Sequence, residues 1–169
     1  LAVGALALVN LWAKGHFGLR GYMTTSLLFV CLGNICRSPL AEGVMRHMAS
    51  PDLRIDSAGT GDWHSGDAPD SRAQAVAAAR GYDISAQRAR QVSADDFAHF
   101  DLILAMDARN LDDLRQNPAF PGRAHVAQFL PYAGLASPLD VPDPWYSGDF
   151  DGTLDLIETA CARIAAQLQ

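Results

Sequence analysis

Disulfide bonding has little to work with in this chain, whose 169 residues hold three cysteines, Cys31, Cys36 and Cys161. That is too few for a disulfide scaffold and suits a reducing compartment, the cytoplasm. No block of Lys or Arg offsets a net charge of −6, which speaks against nucleic acid and anionic membrane as general partners. The apolar run from Leu1 to Val9 falls far short of the roughly 20 residues of a membrane span. Basic residues follow that run instead of preceding it, the reverse of a secretion signal. Internal repeats and low-complexity linkers are missing too, so the length points to one domain with an ordinary core. Met23 lies three residues before the first strand pattern. Residues 1–22 are therefore expected to be a disordered extension or an over-extended gene start, and residues 23–169 the folded domain.

What is present is organised around Ser26 to Pro39. Leu27 to Val30 is a continuous apolar run, the mark of a strand buried on both faces. Gly33 and Asn34 tolerate positive φ and let the chain curl after Cys31. Ser38 is expected to cap a helix, with Pro39 at its first position. A curled loop at a helix N-terminus aims several N–H groups at one point, which makes an anion site. Arg37 brings a planar fork that matches two phosphate oxygens. The same field favours the thiolate of Cys31, the nucleophilic form.

Beyond this stretch, helix and strand alternate. Helical patterns cover Ser38 to Ala49, Pro69 to Arg80 (stopped by Gly81), Asp107 to Leu114, and a terminal segment carrying Leu154, Ile157, Cys161, Ile164 and Leu168 on one face. Strand patterns cover Leu53 to Ala58, Asp101 to Met106 and, more weakly, Ala124 to Phe129. The alternation predicts an α/β three-layer sandwich, a central four-stranded parallel sheet with helices on both faces. Ligands in such folds sit at the carboxyl ends of the strands, where Cys31 falls. Cleaving a phosphate ester also needs a proton donor. Asp143, between Pro142 and Pro144 and beside Trp145 and Tyr146, is the best candidate, its aromatic neighbours able to desolvate it and stack on a ring.

The decapeptide Val30-Cys-Leu-Gly-Asn-Ile-Cys-Arg-Ser-Pro39 resembles the phosphate-binding loop of the low-molecular-weight protein tyrosine phosphatases. The resemblance implies hydrolysis of phosphotyrosine monoesters through a phosphocysteine, with no cofactor. It makes Cys31 the nucleophile, Arg37 the phosphate clamp and Asp143 the general acid and base. Leu32, Gly33, Asn34, Ile35 and Cys36 would form the cradle, with Asn34 left-handed and tying it together. Ser38 would stabilise the Cys31 thiolate, and Trp63, Trp145 and Tyr146 would flank the substrate ring. Asp107 and Asn110 would brace the loop from behind. The chain departs from several relatives at Arg80, where they carry histidine, which puts part of that bracing in doubt. Substrates would be a phosphotyrosine protein or a small aryl phosphate, and one partner a tyrosine kinase of polysaccharide export.

Other readings weigh less. Asp149-Phe-Asp151-Gly-Thr153 matches the nucleophile motif of haloacid-dehalogenase phosphatases, but the strand before it and the large domain after it are missing, so helix capping by Asp151 is expected instead. Cys31 and Cys36 have no second Cys/His pair to complete a zinc tetrad, so no metal is expected. Lying in one loop, they are candidates for a reversible, protective disulfide, a pairing the sequence leaves open. His64 reads as a solvated loop residue. An arsenate reductase on this loop would need further cysteines downstream, where only Cys161 stands. A protein-arginine phosphatase tends to carry threonine where Ile35 stands. A non-catalytic phosphate-binding module would not need Cys31 and Asp143 together.

Overall fold

The computed structural model describes residues 24–168. The expected extension over 1–22 and the start at Met23 lie outside the described residues. Four strands, β1 (Ser26–Cys31), β2 (Arg54–Gly59), β3 (Leu102–Ala105) and β4 (His125–Gln128), form one sheet in the order β2-β1-β3-β4. Every pairing is parallel, with Leu27 beside Ile55 on one side and Leu102 on the other.

The unbroken apolar run of β1 is explained by its position. Side chains alternate between sheet faces along a strand, and both faces here are covered. Leu27, Phe29 and Cys31 point into a core filled by α1 (Arg37–Met48), α2 (Ser71–Ala79), α5 (Phe129–Tyr132) and α7 (Phe150–Leu168). Phe29 meets Phe129 edge to face with ring centroids 5.4 Å apart. Leu28 and Val30 point the other way, onto α3 (Ala94–His99) and α4 (Ala108–Arg115) through Phe97, Leu111 and Leu114. The expected face of α7 holds: Leu154, Ile157, Cys161 and Ile164 are all fully buried. Among the described residues no helix is long and apolar enough to cross a membrane.

The chain leaves β1 toward β2 on one side, then crosses back to build β3 and β4 on the other. At such a switch point the loops after two adjacent strands diverge and leave a crevice. The loop after β1 begins at Cys31, and the loop after β3 begins at Met106.

Three local expectations change. Helix α1 starts at Arg37 with Cys36 as its N-cap. Ser38 therefore lies inside the first turn, and its hydroxyl turns to Cys31 instead of capping. Helix α7 is capped by Asp149, whose Oδ1 accepts from Gly152 N at 2.8 Å; Asp151 pairs with Arg80 instead. Arg80 also contacts Asp155 and Glu158, so it staples α2 to α7 and takes no part in bracing the loop. The α3 helix was not expected, although Ser93 and Asp96 form a capping box. The short α5 and α6 (Pro144–Ser147) went unread as well.

Asp101 fastens the start of β1 to the start of β3. It accepts from Thr25 N (2.9 Å), Thr25 Oγ1 (3.0 Å) and Ser26 Oγ (2.9 Å), and it pairs with Arg123. Burial pushes its carboxyl up, but these bonds outweigh burial and hold it below the usual range. A depressed acid stabilises the fold above its unfolded value, about 4 for Asp, and loses that contribution as pH falls through the native value. Asp101→Asn is expected to cost roughly 1–3 kcal/mol at neutral pH. In urea titrations against wild type the gap should begin to narrow below about pH 4 and shrink steadily with further acidification; a gap that does not change with pH would assign the loss to packing.

Candidate active site

Cys31 ends β1 almost fully buried, and the chain after it curls so that Asn34 N–H points back at Sγ, 3.3 Å away. Asn34 carries a left-handed φ of 56°, which asparagine tolerates. Gly33 is not left-handed; a Cβ there would lie 3.1 Å from His64 Cδ2, so its smallness serves close approach. Gly59, at the end of β2, backs the loop even more tightly, because a Cβ would sit 2.8 Å from the Leu32 carbonyl oxygen.

Asn34 holds the curl from behind. Its Oδ1 accepts from Arg90 N at 2.9 Å, and its Nδ2 donates to Ser38 Oγ and Ser57 Oγ, each at 2.9 Å. Ser57 in turn donates to Glu42 Oε2 at 2.6 Å. Burial raises the Glu42 carboxyl, against the pull of Ser57 and Arg46. Since Ser38 accepts from Asn34, its own proton is free for Cys31 Sγ, 3.0 Å away, with the Ala58 carbonyl a longer alternative at 3.4 Å. Asn34 and Ser38 thus form the loop's back and do not line the cleft.

Arg37 is buried and makes three hydrogen bonds through its two terminal nitrogens. Its Nη1 donates to Asp107 Oδ2 (2.6 Å) and the Val141 carbonyl (3.1 Å), and its Nη2 to Asp143 Oδ2 (3.0 Å). Burial lowers its pKa, but Cys31, Asp107 and Asp143 together raise it further, so the guanidinium stays charged. Asp107 is held by Asn110, whose backbone N–H donates to Oδ1 at 2.6 Å. Turned with its nitrogen inward, the Asn110 amide donates to both carboxylate oxygens. Asp143 caps α6 through Trp145 N (3.1 Å), with Pro144 at the first helical position.

These groups meet in one cleft of about 100 Å³, lined by Cys31 to Gly33, Ile35 to Arg37, Trp63, His64, Asp143, Trp145 and Tyr146. Trp63 (62% exposed) and Tyr146 (79% exposed) rise from its rim. The guanidinium of Arg72 lies 5.3 Å from the Trp145 ring and 4.7 Å from the Phe150 ring, fixing one wall. His64, expected in solvent, belongs to the cleft. It sits between Trp63 and Trp145, with ring centroids 6.3 and 6.4 Å away, and its Nδ1 lies 3.1 Å from Asp67 Oδ2. Its position against Gly33 is a tertiary contact that no local pattern announces. Burial first, then the Asp70 carboxylate, pushes the Cys36 thiol up to about 12. Cys161 is wholly buried on α7, and burial raises its thiol too. Among the described residues, no three His, Cys, Asp or Glu side chains are grouped to hold a metal ion.

The arrangement places a thiol, a cationic fork and a carboxyl group around one anion-sized space. Residues 26–169 match the family model described as low molecular weight phosphotyrosine protein phosphatase. The low molecular weight protein-tyrosine-phosphatase YfkJ of Bacillus subtilis is 42% identical over 149 residues, covering 85% of this chain and 96% of the relative. Its crystal structure superposes with a TM-score of 0.79 over 88% of this chain and 96% of that one. The tyrosine phosphatase Wzb of Escherichia coli K30, crystallised in complex with sulphate, gives a TM-score of 0.78 at 29% identity, covering 87% of this chain and 100% of that one. A Drosophila arginine phosphatase gives 0.74 at 31% identity, covering 82% and 94%.

Proposed function

The chain belongs to the low molecular weight phosphotyrosine protein phosphatase family and is a protein-tyrosine-phosphatase, and from that premise we propose that Cys31, Arg37 and Asp143 carry its reaction. The carrying observation is the convergence of Cys31 Sγ with the Ser38 hydroxyl at 3.0 Å while Arg37 reaches across to Asp143 at 3.0 Å.

The Cys31 thiolate attacks phosphorus in line, an S–P bond forms, and the bond to the phenolic oxygen breaks. Loop N–H groups and Arg37 take the equatorial oxygens, where charge accumulates. The incoming phosphate displaces Asp143 from Arg37 Nη2, and the carboxylate so released takes up a proton from solvent and gives it to the departing phenolate. Asp143, now a carboxylate, removes a proton from water, whose oxygen attacks the phosphocysteine and returns Cys31 as thiolate. Ser38 stabilises that thiolate twice, as attacker and as leaving group. Trp63, Trp145 and Tyr146 wall the ring of the substrate. No step uses a cofactor.

The substrate within this mechanism is a phosphotyrosine protein, with a tyrosine kinase of polysaccharide export as a proposed partner and the cytoplasm as the compartment. Ile35 at the cleft wall and three flat aromatic side chains favour a phenyl phosphate over a phosphoguanidinium. An arsenate reductase reading finds its downstream thiol, Cys161, sealed in the core. Peroxide oxidation of Cys31 to a sulfenic acid, followed by attack of Cys36 with loss of water, belongs to the same proposal; the raised Cys36 thiol makes that second step slow.

The test is steady-state hydrolysis of a phosphotyrosine peptide in EDTA, with a phosphoarginine peptide as competitor. Preferential turnover of phosphotyrosine is expected. Preference for phosphoarginine would keep the machinery and overturn the substrate.

A further inference from the structure

A second cavity, of about 370 Å³, adjoins the cleft and shares two walls with it, Leu32 and Trp63. Leu32 follows the nucleophile in the loop and is pinned there, its carbonyl accepting from Gly61 N at 2.9 Å. Trp63 folds back over Gly61, where even a Cβ would meet its ring. Its exposed indole thus stands as a ridge between the two hollows. The far side of the second one is polar, formed by Thr60, Gln91, Gln116 and Asn117, with Asp113 of α4 as its one ionisable lining residue.

Asp113 is short of partners. Its closest polar contact is Thr60 Oγ1, at 3.4 Å, and among the described residues no cation pairs with it. Arg115, on the same helix, is engaged by Asp112 at 3.2 Å. Gln91 spends its Nε2 on the Thr60 carbonyl (3.0 Å) and Asn117 its Oδ1 on Ala119 N (2.9 Å). Gln91 Oε1 and Asn117 Nδ2 remain to meet a passing peptide backbone.

We infer that this cavity is a substrate subsite, taking the lysine or arginine side chain of a residue one or two positions from the phosphotyrosine. The inference rests on the phosphotyrosine reading of the main cleft. With the phenyl ring held on the cleft side of Trp63, the peptide must leave the cleft over its rim. A long cationic side chain crossing the indole keeps its methylenes on an aromatic face and its charge within reach of the carboxylate. A glutamate there meets Asp113 with like charge. The subsite therefore selects by attraction and by repulsion together.

The experiment compares kcat/KM for phosphotyrosine peptides differing only in Lys, Ala or Glu at the flanking positions, at low salt, alongside a small aryl phosphate. Wild type should prefer the lysine peptide over the glutamate peptide by roughly 2–10-fold, the scale of exposed charge pairs. Asp113→Asn should remove most of that preference, and Asp113→Lys should reverse it. Both variants should hydrolyse the aryl phosphate like wild type. No preference in wild type, or a preference that survives Asp113→Asn, overturns the subsite. Failure of wild type on the aryl phosphate would instead sink the reading of the main cleft.

Discussion

Cys31→Ser should leave a folded protein that still binds phosphate and has lost hydrolysis by about 10⁴-fold or more, the scale seen when a covalent nucleophile is removed. Serine fits the space of the buried sulfur and accepts the Asn34 N–H in its place. A hydroxyl beside Arg37 is nonetheless far harder to ionise than a thiol at neutral pH. No neighbour can substitute: Cys36 is held as a neutral thiol by burial, and Cys161 is sealed on the buried face of α7. Rapid-quench mass spectrometry should find a phosphoryl adduct on Cys31 in wild type and none in the variant. Residual activity within tenfold of wild type would mean that water attacks directly.

Asp143→Ala should lose about 10²–10⁴-fold in kcat on a phenyl phosphate, the range of general acid catalysis. The loss should shrink for a nitrophenyl ester, whose oxyanion departs with less need of a proton. The carboxylate also caps α6 through Trp145 N, a contact whose removal costs about 1 kcal/mol of local stability. Asp143→Asn separates the two roles. An asparagine cap keeps the helix start yet has no proton to give, so it should match alanine in rate and exceed it in thermal stability. A loss independent of the leaving group would reassign Asp143 to positioning Arg37.

The core of this site was readable because it is local. An apolar strand, a Gly-Asn curl and an arginine six residues after the cysteine lie in one short stretch, and strand periodicity placed them at a carboxyl edge. The boundary at Ser38 was misjudged because a hydroxyl before Pro39 normally caps. Here Asn34 and Cys31 claim the serine hydroxyl instead. Asp149 and Asp151 both suit a helix start; Asp149 takes the Gly152 N–H, while Asp151 lies in the first turn and pairs with Arg80. His64 and Arg90 were invisible for another reason. One is placed by Gly33 across the cleft. The other, clamped by Asp56 and Asp96, offers its backbone N–H to Asn34. Contacts between distant segments leave no periodic trace.

Arg37 reaches its Val141 and Asp143 partners over sequence separations of 104 and 106 residues. On the ribosome the cysteine loop therefore emerges long before the segment that completes it. Strand β1 also waits for β3, whose first residue is Leu102, before it is covered on both edges. A nascent chain holding Cys31 and Arg37 lacks the Val141 carbonyl and the Asp143 carboxylate that hold the guanidinium, so phosphatase chemistry is not expected to run ahead of folding. Enzymatic activity in this protein is a readout of the finished chain, and a truncation anywhere before α6 should be chemically silent however well its cysteine loop is made.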